Sequence, residues 1–464
     1  MFGKLIAALR WLGVRLLVAV AVWAVLYTAV NFYLTRERDQ AMDWFTANGI
    51  PTYPEPFTPP DKGDKDDAGP LWRAAAEVYG TSNVLDLFHK ENSDASYVEV
   101  TLKDGKLILT IGGNAENRNR PITTEELATV HKYLDAQATV FDLLRQAAAR
   151  PKYQSPIDFS PGLATQLPNL TPEMNLARLL CVAAEVSVSE GRGDRAIGYW
   201  TSLKSMERWT ADEPTLISTM CTVAIDGMLC KSVQESLRAR PFSEPELKQV
   251  SMIVQPRRDY REQFRVGMKG ELAWMNIFFR DLLAGRFDLH QCHITDAPPL
   301  CKAAGLARLE WLAGQAVFLK SYRQIYEQMK TDFGPNQFSY RPDKSIPWYA
   351  FTAQLFIPPI GGFAKSLCKH ATEARVTAWG VALRRQKLAT GSYPERLADL
   401  KPEFTAGLGE PLDPFTDKPL IYHRQGEGFI IYSVGPNLKD DGGHNAEREK
   451  PQGAADDITF ELKD

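Results

Sequence analysis

The sequence predicts a mainly α-helical fold with an N-terminal transmembrane helix, an irregular α-helical domain that contains a β-hairpin, and a small α+β module at the C-terminus. Three observations predict it. An uncharged apolar run covers residues 16–34, apolar residues recur at helical spacing through most of residues 71–350, and the last eighty residues alternate turn-forming residues with short apolar strands. With 464 residues, 44% of them hydrophobic, the chain is long enough for two or three folded units.

The charge balance argues against one class of partner. The chain has 54 basic and 57 acidic side chains and a formal net charge of -3. Proteins that hold nucleic-acid phosphates need a surplus of basic groups, and this composition supplies none. The sequence therefore predicts no nucleic-acid partner.

The apolar run at residues 16–34 is long enough to cross a bilayer as a helix, so the lipid bilayer is the first predicted partner. Tyr27 and Tyr33 lie toward its far end, where aromatic rings prefer the membrane interface. A cleaved signal peptide is the competing interpretation, but the run is longer than a usual signal core and no small-x-small site follows it. More basic groups precede the run than follow it, which predicts that residues 1–15 are cytoplasmic and the bulk of the chain extracytoplasmic.

Residues 35–70 are predicted to be a linker because their second half is rich in Pro, Asp and Lys and has little apolar surface to bury. The α-helical domain follows at residues 71–350. Within it, residues 97–111 alternate in polarity around Asp104-Gly105, which predicts a hairpin with a two-residue turn. Thr123 and Glu126 have capping-box spacing and predict a helix that runs toward Ala149.

Two cysteines stand apart from the apolar helical patterns. Cys292 and Cys301 bracket a Pro-containing loop, so a disulfide between them is plausible outside the cytoplasm. The same stretch carries His290 and His293, which with the thiols offer ligands for zinc, although the spacing matches no standard zinc motif. A disulfide or two free thiols rank above a metal site, and the choice between those two stays open.

No catalytic motif is present, and we predict no catalytic residue. Among the carboxylates, Asp226 is of most interest because it lies in an apolar helical run, where its pKa would be raised unless a partner neutralised it. The simpler interpretation is a helix-face residue or a buried pair with an arginine. Enzymatic activity is therefore unsupported by the sequence.

The C-terminal module, residues 351–464, contains an ordered set of short motifs. A helix is followed by a Tyr-Pro turn, an Asp-Pro segment, two strand patterns and an acidic Gly-rich loop: Gly391-Ser-Tyr-Pro394, Asp413-Pro-Phe415, Pro419-Leu-Ile-Tyr422, Phe429-Ile-Ile-Tyr-Ser-Val-Gly435 and Asp440-Asp-Gly-Gly443. This succession resembles the globular domain of the major pseudopilin of type II secretion systems, over about a fifth of the chain. The resemblance implies a long helix, a short antiparallel sheet and a calcium-binding C-terminal loop.

Oxygen donors along a Gly-rich loop suit a hard cation such as calcium. By position, the resemblance places candidate ligands in two short segments, with asparagine where the pseudopilin has an aspartate: Asn437, Asp440, Asp441, Asp456 and Asp457. The alternative is a solvated acidic turn closed by Gly442 and Gly443, since Asp, Asn and Gly are ordinary turn residues. Calcium is the cofactor that we predict.

Two features distinguish the chain from a pilin subunit. Its N-terminus lacks the glutamate that follows the cleavage glycine in pilins, and about three hundred residues separate the anchor from the module. The chain looks instead like an anchored bacterial envelope protein, which implies an inner-membrane location. We expect a non-catalytic binding or assembly role with an unidentified envelope protein as partner. The alternatives are an extracytoplasmic enzyme with its cleft in the helical domain and an accessory component of a secretion apparatus.

Overall fold

The computed structural model describes residues 2–53, 64–80, 95–113, 118–155, 157–159, 165, 170–255, 260–286, 306–331, 346–347, 349–357, 360–444 and 456–463. Helix dominates these residues, which confirms the mainly α-helical class. The helices are α1 (Phe2–Ala47), α2 (Gly69–Tyr79), α3 (Thr124–Ala136), α4 (Ala138–Ala148), α5 (Leu170–Ser189), α6 (Gly193–Asp212), α7 (Leu216–Ala239), α8 (Glu244–Ile253), α9 (Tyr260–Leu283), α10 (Leu306–Thr331), α11 (Phe351–Phe356), α12 (Ile360–Thr390) and α13 (Pro402–Thr405).

The described strands form two antiparallel sheets of three strands each, with orders β1-β2-β3 and β4-β5-β6. Their bounds are β1 (Ala95–Lys103), β2 (Lys106–Gly113), β3 (Arg118–Pro121), β4 (Ile421–Gln425), β5 (Gly428–Ser433) and β6 (Ile458–Leu462). In the first sheet, Asp104 and Gly105 both have positive φ, 48° and 76°, as a two-residue type I′ hairpin turn requires. The turn residues thus set the register of the hairpin.

Helix α1 is one continuous helix of 46 residues with two different environments. Its apolar side chains from Trp11 through Val30 are mostly exposed, as expected for a segment that faces lipid. Its last turns pack along α10 instead, where the ring of Phe45 lies edge-on to Tyr326 at 5.9 Å and Glu37 pairs with Lys320. The exposed apolar segment and the helical domain therefore share a single continuous helix.

This arrangement corrects the linker predicted over residues 35–70. Residues 35–47 are helical, and the described residues beyond them also contact the domain: Asn276 Nδ2 donates to the carbonyl of Thr52 at 3.0 Å, and the Ala68 amide donates to that of Lys152 at 2.9 Å. Average composition did not predict this packing, because a few buried apolar side chains are enough to hold a segment against a domain. Ile50 and Ala68 are both buried.

Helix α7 is apolar enough to pass the same length and composition test for a membrane span, but more than half of it is buried inside the protein. It lies between α5 and α6 on one side and α12 on the other. The fully buried rings of Trp200 and Trp209 pack in this central group of helices. Helix α7 is therefore the central helix of the core.

Helix α12 joins the helical domain to the C-terminal sheet. It packs against α7 and α8, and its other side supports β5 and β6. Gln234 Nε2 donates to Thr377 Oγ1 at 2.7 Å, and Arg238 Nε donates to the carbonyl of Glu461 at 2.9 Å. The domain boundary predicted at residue 351 does not interrupt the packing, because one apolar cluster includes residues from Phe45 to Leu462.

Candidate functional site

The predicted metal loop follows β5, and Asp413 holds its start in place. The side chain of Asp413 is buried and accepts hydrogen bonds from the Phe415 amide at 2.8 Å, Ser433 Oγ at 2.8 Å and the Val434 amide at 3.2 Å. The Asp-Pro segment is therefore clamped onto the end of β5. This clamp determines where the acidic loop begins.

The structure brings four of the five predicted ligands into one hydrogen-bonded cluster, which we call the acidic loop. Asn437 Nδ2 donates to Asp441 Oδ2 at 2.8 Å, and the Asn437 amide donates to Asp456 Oδ1 at 3.2 Å. The Asp441 amide donates to Asp457 Oδ2 at 3.1 Å. Asp440 turns aside and accepts from Tyr432 Oη at 3.0 Å, so it lies at the edge of the cluster.

Asp457 is the unusual member of the acidic loop. Its side chain is fully buried, and Oδ2 also accepts from the Gly443 amide at 2.7 Å, but Oδ1 is buried without a hydrogen-bond partner. Burial, with the nearby carboxylates of Asp441 and Asp440, raises the pKa of Asp457 to about 6. A buried carboxylate oxygen without a partner is costly, and a bound cation would satisfy it.

Backbone amides already donate hydrogen bonds to several of the other carboxylate oxygens in this loop. In the part of the chain that the structure describes, no group of three or more His, Cys, Asp or Glu residues is arranged to hold a metal ion. The donors are hard oxygens, which fit calcium in kind, and the free Oδ1 of Asp457 fits it in position. The donor chemistry and this oxygen suit a hard cation, whereas the described carboxylates do not converge as a metal site would require, so calcium stays a prediction.

A second group of polar residues lies in the helical domain, and we call it the acid cluster: Tyr153, Glu173, Glu213 and Ser218. Glu213 is almost fully buried just after α6 and accepts from Tyr153 Oη at 2.5 Å and Ser218 Oγ at 2.6 Å. Burial raises the pKa of Glu213, and burial with the field of Glu213 raises the pKa of Glu173 to about 8. Glu173 is therefore protonated at neutral pH.

Aromatic rings enclose the acid cluster. The Tyr153 ring lies 5.5 Å from that of Trp72 and 6.1 Å from that of Trp209. The indole Nε1 atoms of both tryptophans are buried without a hydrogen-bond partner, as is Glu173 Oε2. Sequence reasoning missed this site, because Glu213 precedes Pro214 and suggested only a turn. No signal in the local sequence could have found it, because the residues of the cluster come from segments far apart along the chain.

Asp226, the carboxylate singled out from the sequence, is neutralised. Lys204 Nζ lies 3.3 Å from Asp226 Oδ1 and 3.0 Å from Glu207 Oε2. Although burial lowers the pKa of Lys204, the two carboxylates outweigh it and raise that pKa overall. Of the two interpretations, the ion pair is thus the one that the structure has, with a lysine as the partner.

Other buried carboxylates bind backbone amides. Glu185 accepts from the Leu102 amide at 2.6 Å and so satisfies an edge of β1, and burial raises its pKa to about 7. Glu310 accepts from the Thr352 amide at 2.8 Å and fixes the start of α11. Burial also raises the pKa of Glu271 to about 7, and this side chain accepts from the Leu216 amide at the start of α7. These three groups hold elements together.

Two predicted features fall outside the described residues. Cys292 and Cys301 lie in residues 287–305, so their disulfide and the zinc alternative stay predictions. Among the described cysteines, Cys181, Cys221 and Cys230 are free thiols.

A groove of about 450 Å³, with both apolar and charged side chains in its walls, lies between the helix pair α3–α4 and the helix pair α5–α6. Its walls carry His131, Arg145, Arg192, Arg195 and Tyr199. His131 pairs with Glu190 at 2.9 Å, whereas Arg195 projects into solvent. Because Asp135 and Asp142 also line it, the groove offers donors, acceptors and apolar surface on an open face, which suits a segment of another protein.

Comparison with known proteins gives no relative on which a function could rest. No protein-family model, no curated protein and no solved structure matches the chain. The pseudopilin resemblance therefore stays a prediction, and the function must be argued from the geometry.

Proposed function

We propose that the protein is a single-pass, membrane-anchored envelope protein of bacteria with a non-catalytic role in binding or assembly. The continuity of α1 carries this proposal. One helix contains an exposed apolar segment of membrane-spanning length and then a packed segment whose Phe45 belongs to the main core. An assembly component benefits from such rigidity because its contact surface keeps a fixed height and orientation above the membrane.

The groove between α3–α4 and α5–α6 is the contact surface that we assign to a protein partner. Its side chains come from four helices that are themselves packed on the core, so the surface is already formed before a partner binds. Arg195 is exposed and would meet an acidic group, and Tyr199 supplies an aromatic face. Arg145 is already paired with Asp142 at 2.5 Å. The partner is an envelope protein.

Placing charges in the exposed apolar part of α1 is expected to abolish membrane retention. Val18 and Val22 are 56% and 53% exposed, and arginine at each would cost about 3 kcal/mol near the centre of a bilayer. The double variant Val18→Arg, Val22→Arg should leave the carbonate-washed membrane fraction, which retains the unaltered chain. Val78→Arg is the matched control, since Val78 is equally exposed on α2 and should not affect retention. An unaltered chain that is cleaved after the apolar run and found in the soluble fraction would overturn the anchor.

The orientation follows from the same helix. With residues 1–15 in the cytoplasm, the helical domain and the C-terminal module face the periplasm, and this location in the inner membrane is part of the proposal. Protease added to spheroplasts should then digest the domain without detergent. Protection of the domain until the membrane is dissolved would reverse the orientation.

For the acidic loop, we propose calcium bound through oxygen atoms of five residues: Asn437, Asp440, Asp441, Asp456 and Asp457. The support is the hard-oxygen donor set together with the unpartnered Oδ1 of Asp457. Calcium would replace the proton that the raised pKa of Asp457 favours. It would thereby hold the segment before β6 against the end of β5.

Calcium should raise the melting temperature of the full chain relative to a chelator. At a free calcium concentration of one hundred times the Kd, binding adds about 2.7 kcal/mol to the free energy of unfolding. The full chain is needed because α12 buries one side against α7. Asp457→Asn should abolish the rise. Asp417→Asn is the control, since Asp417 is 76% exposed and has a positive φ that asparagine tolerates. Equal melting temperatures in calcium and in chelator would rule out the proposed calcium site.

The acid cluster is the one observation that favours an extracytoplasmic enzyme as a second candidate function. A carboxyl group that stays protonated at neutral pH, such as Glu173, has the property of a general acid. The enzyme ranks second because Glu213, the acidic neighbour of Glu173, already accepts hydrogen bonds from Tyr153 and Ser218.

A further inference from the structure

A second cavity, of about 420 Å³, lies where α1 leaves its exposed apolar segment, and we call it the juxtamembrane cavity. Side chains from α1, α9 and α10 line it. They include three arginines, Arg38, Arg280 and Arg308, and two aspartates, Asp39 and Asp43. The cavity therefore combines three guanidinium groups with two carboxylates on elements that are fixed by packing.

The height of this cavity above the bilayer follows from helix geometry. Arg38 lies four residues beyond Leu34, the end of the apolar run, and at about 1.5 Å per residue this is about 6 Å along the helix axis. The headgroup layer on each side of the hydrocarbon core is about 5–7 Å thick. Arg38 therefore lies at the level of the lipid phosphates, and Arg280 and Arg308 line the same cavity.

The charges around the cavity are unequally neutralised. Arg38 pairs with Asp39 at 2.6 Å, and Arg280 pairs with Asp281 at 3.2 Å. Arg308 differs, because its Nη1 donates to the neutral carbonyl of Leu283 at 3.0 Å and no carboxylate pairs with it among the described residues. Asp43 lies more than one helical turn farther from the membrane than Arg38. Among the described residues, Arg308 is thus the arginine of the cavity whose charge no carboxylate offsets.

We propose that the juxtamembrane cavity binds the phosphate of an anionic glycerophospholipid in the outer face of the membrane, with Arg308 as the principal cation and Arg38 and Arg280 beside it. The proposal rests on the membrane anchor of the proposed function. A guanidinium group can donate two parallel hydrogen bonds to a phosphate, which fits this ligand better than a carboxylate surface would. A bound lipid would fix the rotation of the domain about the axis of α1.

Binding is best measured on the full chain in neutral detergent, with native mass spectrometry to count bound phosphatidylglycerol. Arg308→Gln should weaken the apparent affinity about fivefold, as expected for one basic group near a charged membrane surface. Arg308→Gln with Arg38→Gln should weaken it further. Phosphatidylcholine, whose headgroup carries no net charge, should bind less well than phosphatidylglycerol to the unaltered chain.

Arg36→Gln is the matched control. Arg36 is exposed, lies at nearly the same height as Arg38, and at about 100° per residue points to nearly the opposite side of α1. It should change the affinity by less than twofold. If Arg36→Gln lost as much lipid affinity as Arg308→Gln, the effect would be a general electrostatic attraction to the headgroups, and the site would be overturned. Unchanged lipid binding by Arg308→Gln would overturn it too.

Two further measurements distinguish a lipid site from a site for free phosphates, and lost contacts from misfolding. Glycerol 3-phosphate should not compete at concentrations where the lipid saturates, and equal competition would show a site for free phosphates instead. Each variant is melted first, and Arg308→Lys, which keeps the charge, should recover most of the binding if Arg308→Gln misfolds. A chain that fails the carbonate wash but binds lipid in detergent would overturn the anchor alone.

Discussion

The free energy of unfolding is expected to fall by about 3 kcal/mol or more as the pH rises from 5 to 8. Burial raises the pKa of Glu173 to about 8 and the pKa values of Glu185 and Glu271 to about 7, from a reference value of 4.5. Between 4.5 and these values the folded chain holds protons that the unfolded chain has released. Stability is therefore full below about pH 4.5 for these groups and is lost as the pH rises through their folded pKa values, by about 1.4 kcal/mol per pKa unit and group.

Urea unfolding at several pH values checks this. Glu173→Gln, which cannot ionise, should flatten the profile most, whereas Glu403→Gln, at an exposed position on α13, should leave it unchanged. Glu126 acts in the opposite direction, since hydrogen bonding to Arg120 lowers its pKa to about 2, so its contribution is lost only in strong acid. A profile of the unaltered chain that is flat, or that rises, between pH 5 and 8 would show that these carboxylates are hydrated.

Gly270→Ala is expected to be the most damaging single substitution among the described glycines, with a loss of at least about 3 kcal/mol or failure to fold. A Cβ atom at Gly270 would overlap the backbone carbonyl of Pro214, which leads into α7. A backbone atom cannot move aside as a flexible side chain can. Helix α9 would have to separate from α7, and with it the amide contact between Glu271 and Leu216 would be lost.

Gly198→Ala is the matched comparison. Gly198 lies inside α6, and a Cβ atom there would meet nothing within 4 Å. Alanine should stabilise the chain by about 0.5–1 kcal/mol because it favours helix more than glycine does. Thermal melts of the two variants should therefore shift in opposite directions. A Gly270→Ala variant as stable as the unaltered chain would mean that α7 and α9 are not in close contact.

Local features were predicted well from the sequence when a short motif carries its own geometry. Thr123 and Glu126 form the predicted capping box, with the Glu126 amide 3.2 Å from Thr123 Oγ1. The helix predicted ahead of the Tyr-Pro turn at Gly391-Ser-Tyr-Pro394 is also present, as Ile360–Thr390. The helix predicted from Thr123 toward Ala149 is interrupted at Gln137, where α3 ends and α4 begins, and no motif marks that break.

Long-range contacts were not predictable in the same way. Average composition indicated a free linker after residue 34, but the fate of that segment depended on whether α10 offered a surface for it. Likewise Glu173 and Glu213 are forty residues apart and nothing in their local sequence distinguishes them from solvated glutamates. Their pKa values are set by burial, which is a property of the packed helices.

The sequence by itself determined the helical class, the apolar N-terminal segment, the Asp104-Gly105 turn and the acidic residues of the C-terminal loop, because each follows from periodicity or from the conformational preference of a few neighbouring residues. Only the tertiary structure decided that the helix of the apolar N-terminal segment continues into the core, that Asp226 is paired with Lys204, and that Asp457 is buried with one oxygen unpartnered. Burial and pairing depend on which residues distant in the sequence come into contact, and a local sequence pattern does not specify those contacts.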